Sequence, residues 1–152
     1  MKVIQVVHSF PSSNMAGTEI YAYNLSRQLL KRHKVFVFHR GNDLNLTEYA
    51  LKHRRLDGLD VFSINNTFRL YGSFEATYKN DVVAKKFGWI LDEIEPDIVH
   101  IQHLLYLSAN IIEEVKKRNI PILFTLHDYW LLCAQGQLLK NNISVCNKKN
   151  SF

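Results

Sequence analysis

The sequence predicts an α/β fold: a doubly wound, mostly parallel Rossmann-like sheet with helices on both faces. Three observations carry this. Apolar runs of strand length alternate with segments whose apolar residues recur at helical spacing. The strands are continuously apolar, as in sheets covered on both sides. With 152 residues, 47% hydrophobic and 22% charged, the chain has the size and composition of one globular domain with a real core.

The elements follow in order. Lys2 to His8 (KVIQVVH) reads as a buried strand, Ser9 to Gly17 as a polar loop and Thr18 to Arg32 as an amphipathic helix. Such a unit leaves backbone N–H groups unpaired at the helix start, where an anion such as phosphate is favoured. Val35 to His39 is a second strand. Asp57-Gly58 separates Tyr49–Leu56 from Leu59–Ile64, which signals a β-hairpin insertion. Asn66 to Thr77 is irregular. Asp81 to Glu95 holds Val83, Phe87, Ile90, Leu91 and Ile94 at helical spacing and stops at Pro96. Asp97 to Gln102 is the next strand. Leu107, Ile111, Ile112 and Val115 mark another helix, with Glu113, Glu114, Lys116 and Lys117 on its wet face. Pro121 to Leu126 is the last strand. Cys133 and Cys146 flank a segment in which Asn141-Asn142 turns a small hairpin. Two such cysteines form no zinc ribbon and are read as reduced thiols. The tail after Asn147 is polar.

The net charge is +5, spread along the chain with its tightest groups at 53–55, 116–118 and 148–149. That balance suits anionic partners such as sugar nucleotides. It does not indicate nucleic acid, because no recognition motif appears and aromatics are not interleaved with the basic groups. The start carries no secretory h-region and no apolar run reaches membrane length, so a cytoplasmic location is expected.

In a sheet of this kind ligands sit beyond the carboxyl ends of the strands. His8, His39 with Arg40 and Gly41, His103, and His127-Asp128-Tyr129-Trp130 all fall at such ends. His127 follows a strand and precedes an aspartate that orients its ring or fixes its tautomer. His8 and His103 are placed to line a ligand site there. His100 and His103 are read as one face of one strand, as a metal pair would be, but no third ligand has suitable spacing. No metal is assigned, and His100 is read as a buried or edge histidine. Tyr129 and Trp130 read as a packing lid, with stacking on a ligand as the alternative.

Four segments, KVIQVVHSFP, AGTEIYAYNLSRQLLKR, PDIVHIQH and TLHDYWLLCAQGQLL, resemble in that order the N-terminal domain of a GT-B fold, retaining glycosyltransferase of the family 4 type. The resemblance implies two Rossmann-like domains around a cleft. The N-terminal one shapes the acceptor site. The other binds most of the nucleotide-sugar donor and carries two essential glutamates; no metal or other cofactor is needed. It implies that Ala16, Gly17, Thr18 and Glu19 lie near the donor diphosphate and the acceptor, and that His127 is the catalytic residue in the cleft. His8, His103, Asp128 and Tyr129 are the remaining expected substrate contacts.

Two departures stand out. The family commonly has two glycines where this chain has Ala16-Gly17, and a methyl at Ala16 is expected to restrict positive φ and crowd a phosphate. Relatives often have Cys-Pro where this chain has Cys133-Ala134. Nothing after Asn147 supplies a second α/β half. Residues 1–152 are therefore expected to form one acceptor-side domain, incomplete at its C-terminus, without the donor-binding domain and inactive alone. The alternative is a non-catalytic phosphate- or sugar-binding module, or an inert fragment. The implied partners are a nucleotide-sugar donor, a glycan or lipid-linked acceptor of polysaccharide biosynthesis, and weak contact with an anionic membrane at its inner face.

Overall fold

In the computed structural model, residues 1–11, 16–133, 136–140 and 144–146 are described. The expected Asn141-Asn142 turn and the tail after Asn147 lie outside them, as does Ala134. Leu139 and Val145 form an isolated antiparallel bridge.

Six strands form one sheet: β1 (Lys2–Val7), β2 (Lys34–Gly41), β3 (Leu51–Leu56), β4 (Leu59–Asn65), β5 (Ile98–Ile101) and β6 (Ile122–Phe124). Their order is β3-β4-β2-β1-β5-β6, with only the β3–β4 pair antiparallel. The apolar run of β1 explains its central place, since a strand flanked and covered on both sides has no wet face. The hairpin is less of an insertion than expected. Leu59, Val61 and Ile64 are fully buried, and β4 pairs in parallel with β2 as a main strand; only β3 is an addition. Its turn has Asp57 at φ 49° and Gly58 at φ 84°. Two consecutive positive φ values fit the right-handed strand twist and favour a glycine at the second position.

Three helices cover the two faces. Helix α1 (Gly17–Leu30) lies on one face, where Ala22 packs with Val7, Val35, Val37, Leu59 and Val61. Helices α2 (Asp81–Ile94) and α3 (Ile111–Lys117) cover the other, over Ile4, Val6, Phe38, Ile64, Val99 and Ile101. Asn80 starts α2 by accepting the Val83 N–H at 3.1 Å. Gly88 lets α3 approach, since a Cβ there would lie 2.9 Å from Glu114 Oε2. Arg118 then forks onto Asp92 at 2.6 and 2.8 Å and reaches Glu114 at 2.9 Å. The α3 helix starts later than its apolar spacing predicts. Leu104 and Leu107 are buried through a turn instead, and the Ser108 hydroxyl accepts the N–H groups of Asn80 and Asn110.

The strand order reverses at β1. The chain leaves β1 through α1 towards β2, then returns from β4 through α2 to β5 on the other side. The crevice beyond the carboxyl ends of β1 and β5 is thus the topological switch point, where sheets of this kind bind ligands. No helix among the described residues is long and apolar enough to cross a membrane.

Candidate functional site

Three histidines from three strand ends meet at this crevice. His8 follows β1, His103 follows β5 and His127 follows β6. The His8 and His103 rings have centroids 5.0 Å apart, and His103 Nε2 lies 3.1 Å from Asp128 Oδ2. His103 Nδ1 accepts the Leu105 N–H at 2.9 Å. Its proton therefore sits on Nε2, directed at the carboxylate. Asp128 also accepts the Trp130 N–H at 2.8 Å. Burial pushes the Asp128 carboxyl up, but the Trp130 N–H and His103 outweigh it and hold it below its ordinary value.

Glu19 joins the cluster from the first turn of α1. One carboxylate oxygen accepts the Ala16 N–H at 3.1 Å, and the other lies 2.9 Å from His8 Nε2. The residue is only 4% exposed. Burial holds the His8 imidazole below its ordinary value, against the opposing pull of Glu19. Ala16 has φ −111° and ψ −173°. That is extended backbone open to any residue, so the expected restriction of positive φ does not arise at this position. A Cβ added at Gly17 would meet nothing within 4 Å.

His127 is held from beneath by two buried amides. Its Nε2 lies 2.7 Å from Gln102 Oε1, which can only accept, so Nε2 carries the proton and Nδ1 is the acceptor. Gln102 Nε2 in turn donates to Gln5 Oε1 at 2.8 Å, and both glutamines are 0% exposed. Burial, with His103 nearby, lowers the His127 imidazole below its ordinary value. The Tyr21 ring stands edge-on with its centroid 5.0 Å from that of His127. Gln102→Leu removes the His127 anchor and strips Gln5 of a partner. It is expected to cost about 1–3 kcal/mol in urea unfolding; an unchanged midpoint would mean that the amide pair holds nothing.

Sequence reasoning did not single out Gln5, Gln102 or Tyr21. A glutamine in the middle of the apolar run KVIQVV was the one available signal. His100 is a buried histidine, as expected, and it does not share a face with His103 as a metal pair requires. The two residues are three apart, which points their side chains to opposite faces of an extended chain, and β5 ends at Ile101. His100 is buried and its Nε2 lies 2.8 Å from Thr125 Oγ1. Among the described residues no three His, Cys, Asp or Glu side chains are grouped to hold a metal. Tyr129 is 51% exposed, whereas Trp130 packs against the core and lies 5.2 Å from His103, ring to ring. Of the proposed lid, only Trp130 packs in this way.

Residues 15–144 match the family model described as Glycosyltransferase Family 4. An uncharacterized 42.6 kDa protein in the cps region of Klebsiella pneumoniae is 24% identical over 158 residues, covering 93% of this chain and 40% of that protein. Two solved structures are similar. A trehalose-6-phosphate structure from E. coli bound with UDP-2-fluoro glucose superposes with a TM-score of 0.53 at 18% identity, over 84% of this chain and 33% of that one. Sucrose-phosphate synthase from Thermosynechococcus elongatus gives 0.59 at 14% identity, over 88% and 35%. At these identities the likeness is one of fold. The chain spans well under half the length of each of these proteins.

Proposed function

Since the chain belongs to Glycosyltransferase Family 4 and has the fold of a GT-B N-terminal half, we propose that it is the acceptor-side part of a sugar-transferring enzyme. The reaction moves a sugar from a nucleotide-sugar donor to a hydroxyl of a glycan or lipid-linked acceptor. The donor is held mostly by a second domain facing the crevice. UDP-2-fluoro glucose in the E. coli structure supports a nucleotide-sugar donor, and the 33–40% coverage of these three similar proteins supports a larger whole.

The observation that carries this reading is the convergence of His8, His103 and His127 at the switch point. In it His127 is the catalytic residue. Its Nε2 proton is committed to Gln102, so Nδ1 is left to accept a hydrogen bond from a hydroxyl of the transferred sugar. A lowered pKa keeps that nitrogen unprotonated near neutrality. The Ala16 N–H is given to Glu19, so the start of α1 at Gly17 and Thr18 offers its backbone N–H groups to the leaving diphosphate. Glu19 fixes this loop and His8 rather than reacting.

An NMR titration with UDP- and GDP-sugars and simple glycans tests the reading. Binding is expected to shift the signals of Gly17, Thr18 and His127, with no turnover above a His127→Ala control. Turnover by the chain alone would refute the division of labour between domains. A titration that leaves all three signals in place would refute the site. In a protein that also supplies a family 4 donor domain, His127→Ala is expected to lower turnover about 100-fold.

A further inference from the structure

A second cavity of about 270 Å³ lies at the other half of the same sheet edge, between the ends of β2 and β4 and the hairpin strand β3. Strand register builds its floor. His39 on β2 is beside Ser63 on β4, and Ser63 is beside Lys52 on β3, so the three share one face. Arg54 lies two residues along β3 on that face. Its guanidinium donates to the Pro11 carbonyl and is near enough to His39 to oppose its protonation. The Phe10 ring closes one side, its centroid 6.0 Å from that of His39.

His39 is 7% exposed. Its Nδ1 lies 2.7 Å from the Arg40 carbonyl oxygen, which only accepts, so the ring proton sits on Nδ1. Nε2 is then a buried acceptor, and it has no hydrogen-bond partner among the described residues. An acceptor left in this state carries a desolvation cost until a donor reaches it. The cations beside it have donors left for an anion. Arg54 has further N–H groups beyond the one given to Pro11, and Lys52 has only a loose pair with Asp43 at 3.6 Å, both side chains about half exposed.

We propose that this cavity binds a hydroxylated organic anion, a sugar unit bearing a carboxylate or a phosphate. One ring hydroxyl donates to His39 Nε2, and the anionic group sits against Arg54 and Lys52, displacing Asp43 from Lys52. The volume suits one sugar unit. The assignment deepens the transfer reading and rests on it in one respect: the anion is then a unit of the acceptor, held away from the hydroxyl that reacts at His127.

The full chain, with its histidine rings labelled with ¹⁵N, is titrated with glucuronate, glucose 6-phosphate, glucose and inorganic phosphate. At least one of the two sugar anions is expected to bind saturably and shift His39 Nε2, with a Kd on the order of 1 mM. The tighter of the two identifies the anion. Glucose is expected to bind at least about 10-fold more weakly, and inorganic phosphate to leave Nε2 in place. Lys52 is exposed, so Lys52→Glu retains the fold and is expected to weaken binding by about 10-fold or more. His39→Phe is expected to abolish binding; where it perturbs the fold, Lys52→Glu decides alone. Equal binding of glucose and glucuronate, or unchanged binding by Lys52→Glu, overturns the proposal. Shifts at His127 without shifts at His39 overturn it too, while leaving the transfer reading intact.

Discussion

Phe87→Ala is expected to destabilise the chain by about 3–5 kcal/mol, the range for emptying a buried aromatic site. Phe87 is fully buried on the inner face of α2 and meets Phe38 of β2 with ring centroids 4.8 Å apart and planes tilted by 45°. Its neighbours in the same layer, Ile4, Ile64, Leu91 and Ile101, come from three strands and the helix itself. Strand positions are fixed by hydrogen-bonded register, so the walls cannot collapse into the space left behind. The control is Trp89→Ala on the same helix. Trp89 is 62% exposed and touches Lys86 through a cation–π contact at 5.0 Å, so about 1 kcal/mol or less is expected. Urea midpoints measure both. Equal losses for the two variants would show that α2 is not held by the Phe38–Phe87 layer.

The second large effect is a loss of stability in acid. Burial first, with Arg54 adding to it and the Arg40 carbonyl opposing, pushes the His39 imidazole down from 6.5 to about 4. Between those values the unfolded chain takes up a proton that the folded chain refuses. The stability contributed by His39 is therefore complete above pH 6.5, declines as the pH falls, and is lost at about pH 4. The difference in pKa corresponds to about 3 kcal/mol. His8, His100 and His127 are also lowered, with burial the largest cause in each, so they add with the same sign. Urea unfolding at about pH 7, 5.5 and 4.5 measures the slope, and His39→Gln is expected to flatten it. A wild-type slope that His39→Gln leaves intact would assign the acid sensitivity elsewhere.

The sheet was legible because its information is local. Continuous apolar runs gave the parallel strands, and Asp57-Gly58 located the hairpin turn. Which hairpin arm would join the main sheet was less accessible, because pairing between β4 and β2 is a contact across sequence. The same limit explains α3. Leu107 fits a helical spacing with Ile111, yet the Ser108 hydroxyl ties the chain to Asn80 and delays the helix. At the candidate site, chain order brought His8, His103 and His127 to one edge, since strand ends in a parallel sheet converge by topology. What holds them was not readable. The Gln5–Gln102 pair joins residues 97 positions apart. Glu19, expected near the donor diphosphate and the acceptor, has both oxygens engaged within the protein.

The two borders of the sheet differ in kind. Strand β3 carries Lys52, His53, Arg54 and Arg55 in succession along an open border. A second strand approaching there would have to bring like charges together or strip their water, a known guard against edge pairing. Strand β6 has three apolar residues, Ile122, Leu123 and Phe124, with Leu123 49% exposed. Among the described residues no strand lies beyond it, and it carries no such guard. Among the described residues the sheet therefore has one guarded border, the charged hairpin strand, and one unguarded border, the apolar β6 that leads to His127.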